Sequence, residues 1–168
     1  MINELITALN GNPVLVLTLL TLIPFLELRA SIPYGILVLK LPWWWVFLVC
    51  VITNILLGPV LYFLLDNFVH IFLKIGMFAK LYAKYVEKTQ AKLQKYVDKY
   101  GELGVAIFIG VPLPGSGTYS AALGSYIIGL GMKRFIIANI IGVIVAGALV
   151  TIITITGGGI FSFLIKVL

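Results

Sequence analysis

Between residues 14 and 39 an apolar run is broken by Pro24-Phe25-Leu26-Glu27-Leu28-Arg29-Ala30-Ser31-Ile32-Pro33. A carboxylate and a guanidinium at i and i+2, bracketed by prolines, do not suit a plain membrane-crossing helix. Ionisable groups are costly there, and proline removes a backbone donor. Each half of the run is about a dozen residues, ~18 Å at ~1.5 Å per residue, against ~30 Å of hydrocarbon. The spacing predicts a re-entrant hairpin in which one half-helix enters, turns near the midplane, and a second returns to the same side. Irregular backbone at that depth is tolerated only where it is buried in protein or lines a cavity. Residues 103–130 repeat the pattern, interrupted by Pro112-Leu113-Pro114-Gly115-Ser116-Gly117. Pro24, Pro33, Pro112 and Pro114 are the expected hairpin-turn prolines. Bent full spans, giving four crossings, are the alternative.

Two other stretches, 43–65 and 135–156, are long enough to cross a bilayer outright. Trp43, Trp44 and Trp45 open the first, where amphipathic rings favour the headgroup level. Composition agrees: of 168 residues, 61% are apolar and 11% charged, with a mean hydropathy of +1.14. An ordinary soluble domain runs nearer ~45–50% apolar and ~25% charged. Residues 1–10 hold Glu4 but no Lys or Arg, so they lack the positive start of a secretory signal, and the mature chain is expected to begin here. The net charge of +6 comes without groove-reading or base-stacking elements, so nucleic acid is not an expected partner. One cysteine, Cys50, and one histidine, His70, exclude a disulfide scaffold and give little material for metal or covalent chemistry. Neither cofactor, metal centre nor enzyme activity is expected.

Lys74, Lys80, Lys84, Lys88, Lys92, Lys95 and Lys99 lie between the two spans, and Lys133 and Arg134 precede the second. By the positive-inside rule, the loop side of residues 66–134 faces the cytoplasm, in a multi-pass protein of a prokaryotic cell membrane. The expected fold is an all-α integral membrane protein, one membrane domain over residues 1–168. It is built as an inverted repeat of hairpin plus transmembrane helix, 13–66 and 103–157, joined by a cytoplasmic amphipathic connector helix at 70–101. Ile23-Pro24-Phe25 answers Val111-Pro112-Leu113, and Thr53-Asn54-Ile55 answers Ala138-Asn139-Ile140. Inverted repeats with broken helices recur in secondary transporters, with the site near the midplane. On the connector, Tyr82, Val86, Leu93, Tyr96 and Tyr100 form an apolar stripe and the lysines a basic one. That is either a solvated face or a helix lying on anionic lipid headgroups.

Glu27 and Arg29 are the first candidates for chemistry, as an internal ion pair or as function. In the functional reading Glu27 exchanges a proton or meets a cation, and Arg29 holds an anionic group through its fork of donors. Gly115, Ser116 and Gly117 leave backbone N–H groups approachable, and Thr118, Tyr119 and Ser120 add hydroxyls where the returning half-helix should begin, a pattern suited to an anion. Asp66 and His70 share one helical face with Lys74, as interfacial anchors or a proton relay. Asn54 and Asn139 are expected to link helices or line a cavity. Gly142 and Ala146 form a small-xxx-small pair for packing within the protein or across a seam between two copies, and a homo-oligomer, in the first place a dimer, is expected.

Residues 24–35 and 108–117 together resemble the small multidrug export protein family, a distant relative of the DedA-type membrane proteins. The resemblance spans nearly the whole chain and implies two opposed re-entrant hairpins. For the DedA-type relatives it implies proton-dependent transport of polyprenyl-phosphate lipid carriers, with hairpin carboxylates and arginines taking part. Glu27 matches the acidic position of the first hairpin, and Phe135, Asn139 and Gly142 match a pattern after the second. The arginines that DedA-type proteins place in the second hairpin are absent here. The expected function is proton-coupled translocation of a small amphipathic anion such as a polyprenyl phosphate, at a midplane site between the two hairpins. Export of lipophilic cations and a non-transporting membrane scaffold are the alternatives.

The sidedness is checked with the Lys88→Cys variant. A membrane-impermeant maleimide should label it from the cytoplasmic face only, and labelling from outside would reverse the assignment.

Overall fold

The computed structural model describes residues 12–24, 26–72 (side chains to residue 67), 103–111 and 116–157. The amino-terminal start, the lysine-rich connector helix, Lys74, Gly115, Pro112, Pro114 and the His70 side chain fall outside these residues. Every described element is helical: α1 (Pro13–Leu22), α2 (Glu27–Pro33), a π-helical turn (Tyr34–Val38), α3 (Trp43–Phe72), α4 (Leu103–Gly110), α5 (Thr118–Ile127) and α6 (Met132–Thr156).

Two helices are long and apolar enough to cross a membrane, over Trp43–Asn67 and Met132–Thr156, and the most apolar windows of these are only 33% and 44% buried. Their exposed faces are large and aliphatic or aromatic. On α3, Leu48, Ile52, Leu56, Val60 and Phe63 recur every three or four residues, and Leu56 is 63% exposed. The buried face of the same helix holds Cys50, Asn54, Leu57 and Tyr62. Thr21, Glu27, Ser31, Asn54, Thr118, Asn139, Thr151 and Thr154 are all buried as well. Oil outside and polar groups inside is the distribution expected where lipid is the solvent. The predicted spans at 43–65 and 135–156 are found inside these two helices.

The described residues fall into two compact units, one within 1–54 and 144–168 and the other within 55–143. Each takes one broken helix pair and one half of each long helix. In the first unit, Asn12 caps α1 by accepting the Val14 N–H at 3.0 Å, with Pro13 in the first turn where its missing donor costs nothing. α1 has 10 residues and α2 has 7. Neither approaches the ~20 residues of a span. Pro33 cannot donate to the carbonyl four residues back, and the helix continues as the π turn. It ends at Lys40, whose φ of 54° is left-handed, with the Leu41 N–H on the Gly35 carbonyl at 3.1 Å.

In the second unit, α4 has 8 residues and α5 has 10. α5 starts at Thr118, where the sequence places the returning half-helix. Gly142 seats α6 close to α4, since a Cβ there would come within 2.7 Å of the Ala106 carbonyl. Of the two uses expected for Gly142, this is packing within the protein. Tyr62 of α3 stacks on Phe135 of α6 at 5.3 Å and meets Tyr126 of α5 edge-on at 6.0 Å.

Gly58 of α3 is another point of close approach, because a Cβ there would lie 2.7 Å from Asn139 Cγ. Gly58→Ala should therefore destabilise the protein by about 1–3 kcal/mol through overpacking, despite alanine's better helix propensity. Thermal unfolding in detergent measures this, and an unchanged or raised midpoint would contradict the close contact.

Candidate ion and substrate site

The site in the first unit grows from the turn after α1. The chain leaves α1 at Ile23, whose carbonyl accepts the N–H groups of Leu26 and Glu27 at 3.3 and 3.2 Å. Glu27 has a φ of 45°, a left-handed backbone rare for a residue with a side chain. Such geometry costs on the order of 1–3 kcal/mol and persists where surrounding contacts hold it. Those contacts bury Glu27 to 4% exposure and set its Oε2 3.3 Å from Asn54 Nδ2, which donates to it. Arg29, two residues further along α2, is half-buried and close enough to feel the Glu27 charge.

A hydroxyl cluster fastens α1 to α2. Thr21 Oγ1 of α1 lies 2.7 Å from Ser31 Oγ of α2 and 2.7 Å from the Leu17 carbonyl, while Ser31 Oγ reaches the Glu27 carbonyl at 3.2 Å. The Cys50 thiol of α3 is within hydrogen-bonding reach of both hydroxyls. The cluster ties the backbone of Glu27 to α1 and α3 together.

The second unit has an asparagine node of a different kind. Pro59 within α3 has no N–H for the Ile55 carbonyl, four residues back. Asn139 Nδ2 of α6 supplies that donor at 3.2 Å. Its Oδ1 accepts from Thr118 Oγ1 of α5 at 3.3 Å. A proline in a membrane helix is tolerated when a neighbouring side chain satisfies the freed carbonyl in this way. Ser116 Oγ donates to the Val111 carbonyl at 2.6 Å.

Among the sequence candidates, Glu27, Arg29 and Asn54 thus fall in the first unit, with Glu27 and Asn54 in direct contact. Ser116, Gly117, Thr118, Tyr119, Ser120 and Asn139 fall in the second, where Ser116 and Thr118 make structural bonds. Pro24 is exposed in the first turn and Pro33 buried in α2. Asp66 is exposed on α3. Thr21, Ser31 and Cys50 were not singled out by sequence, since short hydroxyls in an apolar run carry no local mark of their partners. Among the described residues no group of three or more His, Cys, Asp or Glu is placed to hold a metal ion.

Short helix pairs and two long apolar helices with lipid-suited outer faces and buried polar groups define a helical membrane protein. Within that class the chain belongs to the small multi-drug export protein family, whose model matches residues 27–149 and whose description gives export as a supposition. Family and apolar helices together fit a membrane transporter. No curated protein and no solved structure matches the chain.

The asparagine node makes a double-mutant prediction. Asn139→Leu should cost about 1–3 kcal/mol by leaving the part-buried Ile55 carbonyl without a donor. In a Pro59→Ala background, where residue 59 regains its N–H, the same change should cost clearly less. Chemical or thermal unfolding in detergent measures both costs, and equal values would show that Asn139 does not stand in for the missing donor.

Proposed function

We propose that this protein is a membrane transporter in which Glu27 carries an exchangeable proton and Arg29 holds the anionic head of an amphipathic substrate, such as a polyprenyl-phosphate lipid carrier. The observation that carries this reading is a carboxylate at 4% exposure, in a left-handed backbone, held by Asn54 and beside an arginine. A charge in so apolar a chain is retained where it does work in an ion or substrate pathway. The short helix pairs in each unit support two re-entrant hairpins in inverted repeat, the arrangement in which secondary transporters place their sites. Ser116 and Thr118 have structural partners, so the anion contact rests on Arg29. The resemblance to DedA-type proteins supports the lipid-phosphate substrate and the coupling to protons.

Purified protein in liposomes tests both roles. Arg29→Ala should weaken polyprenyl-phosphate binding by about tenfold or more, the worth of a charge-assisted contact, and unchanged binding would remove Arg29 from the substrate. Glu27→Gln should retain binding but lose the response of transport to a proton gradient. The family description favours a second reading, export of lipophilic cations with Glu27 as counter-charge. In that case Glu27→Gln abolishes binding of the cation itself, and Arg29→Ala leaves it intact.

A further inference from the structure

The two asparagine nodes differ in one atom. Asn139 has both ends of its amide engaged, Nδ2 on the Ile55 carbonyl and Oδ1 under Thr118. Asn54 is equally buried, at 1% exposure, and its Nδ2 donates to Glu27 Oε2, yet its Oδ1 has no hydrogen-bond partner. A buried acceptor without a donor costs about 1–3 kcal/mol, and in this case the nearest side chain that its own amide already touches is a carboxyl group. An ionised carboxylate has no proton to give, whereas a protonated one has an O–H donor.

We infer that Asn54 is the positioning residue for the Glu27 proton. It holds the protonated carboxyl in an acid–amide ring, with Glu27 Oε1–H donating to Asn54 Oδ1 and Asn54 Nδ2–H donating to Glu27 Oε2. This rests on the reading of Glu27 as a proton-exchanging group and adds the partner that recognises the proton. The proton arrives from water on Oε1 and leaves from the same atom, with no other bond made or broken. Its arrival satisfies the orphan oxygen and locks α2 to α3. Its departure leaves Oδ1 beside a group with nothing to donate, so the ring is reduced to the Nδ2–Oε2 bond and its hold between α2 and α3 weakens. Among the described residues of this unit the other titratable groups are Arg29 on α2, Tyr34 in the π turn, the exposed Lys40, and Cys50 on α3. α1 and residues 144–157 contribute none.

The experiment is infrared difference spectroscopy on the full chain in lipid membranes, acid minus alkaline, with carbonyl-labelled asparagine. Glu27→Gln identifies the Glu27 carboxylic acid band and Asn54→Leu identifies the Asn54 amide band. In the unsubstituted protein the Asn54 carbonyl band should shift to lower frequency together with the appearance of the Glu27 acid band. In Asn54→Leu the acid band should move to higher frequency, as its carbonyl loses the Nδ2 donor. A Glu27 acid band that appears while the Asn54 band stays fixed overturns the acid–amide ring and leaves proton exchange at Glu27 standing. If no Glu27 band appears at any pH, the proton-exchange reading falls and the ring falls with it. The unsubstituted spectrum carries the observation even where a variant folds poorly.

Discussion

Hydrocarbon offers no hydrogen bonds, so each polar group this chain carries inward must find a partner within the protein. The contact from Asn54 Nδ2 to Glu27 Oε2 at 3.3 Å is the most consequential answer to that constraint. It allows a carboxyl group to sit at the start of a short helix, in a left-handed backbone, away from water. Thr21, Ser31 and Cys50 hold the same turn from behind, through hydroxyl and thiol contacts 2.7 Å or so in length for the hydroxyl pair. The α1–α2 pair is thus held by polar contacts set among buried aliphatic side chains such as Leu17, Leu28 and Ile32.

The second unit meets the same constraint at Asn139, where both ends of the amide are engaged. Pro59 opens a gap in the α3 ladder, Asn139 fills it, Thr118 fills the remaining lone pair of Asn139, and Gly58 makes room for the approach. One residue type therefore serves two ends. A fully bonded amide on α6 links α3 to α5, and on α3 an amide with one unbonded oxygen stands beside a carboxyl group, which we propose receives a proton. The difference lies in the partner: a backbone carbonyl and a hydroxyl do not change state, whereas a carboxyl group does.

Much of the architecture was legible because it follows from length and punctuation. Runs cut at Pro24–Pro33 and at residues 112–117 are too short to span, and α1, α2, α4 and α5 are indeed short. The start of α5 at Thr118 follows from the glycines before it. The long helices extend beyond the expected spans, α3 to Phe72 and α6 from Met132, because polar end residues are compatible with helix outside the apolar window. Side-chain pairing was not legible. Asn54 and Glu27 are 27 residues apart and Asn139 and Ile55 are 84 apart. On helices that are apolar all round, hydrophobicity does not mark which face turns inward. One local signal was present in the sequence: Pro59 implies an orphaned carbonyl at Ile55, and such a carbonyl calls for a side-chain donor. The φ of Glu27 had no signal, since glycine or asparagine is the usual occupant of that conformation.

The account stands on Glu27 being seated against Asn54 within the membrane. Solid-state NMR in lipid bilayers, with carboxyl-labelled glutamate and side-chain-amide-labelled asparagine, measures that contact directly. It should show a short carbon–nitrogen coupling that disappears in Asn54→Leu and persists in Asn139→Leu. A coupling that is absent from the unsubstituted protein, or that survives Asn54→Leu, would contradict it.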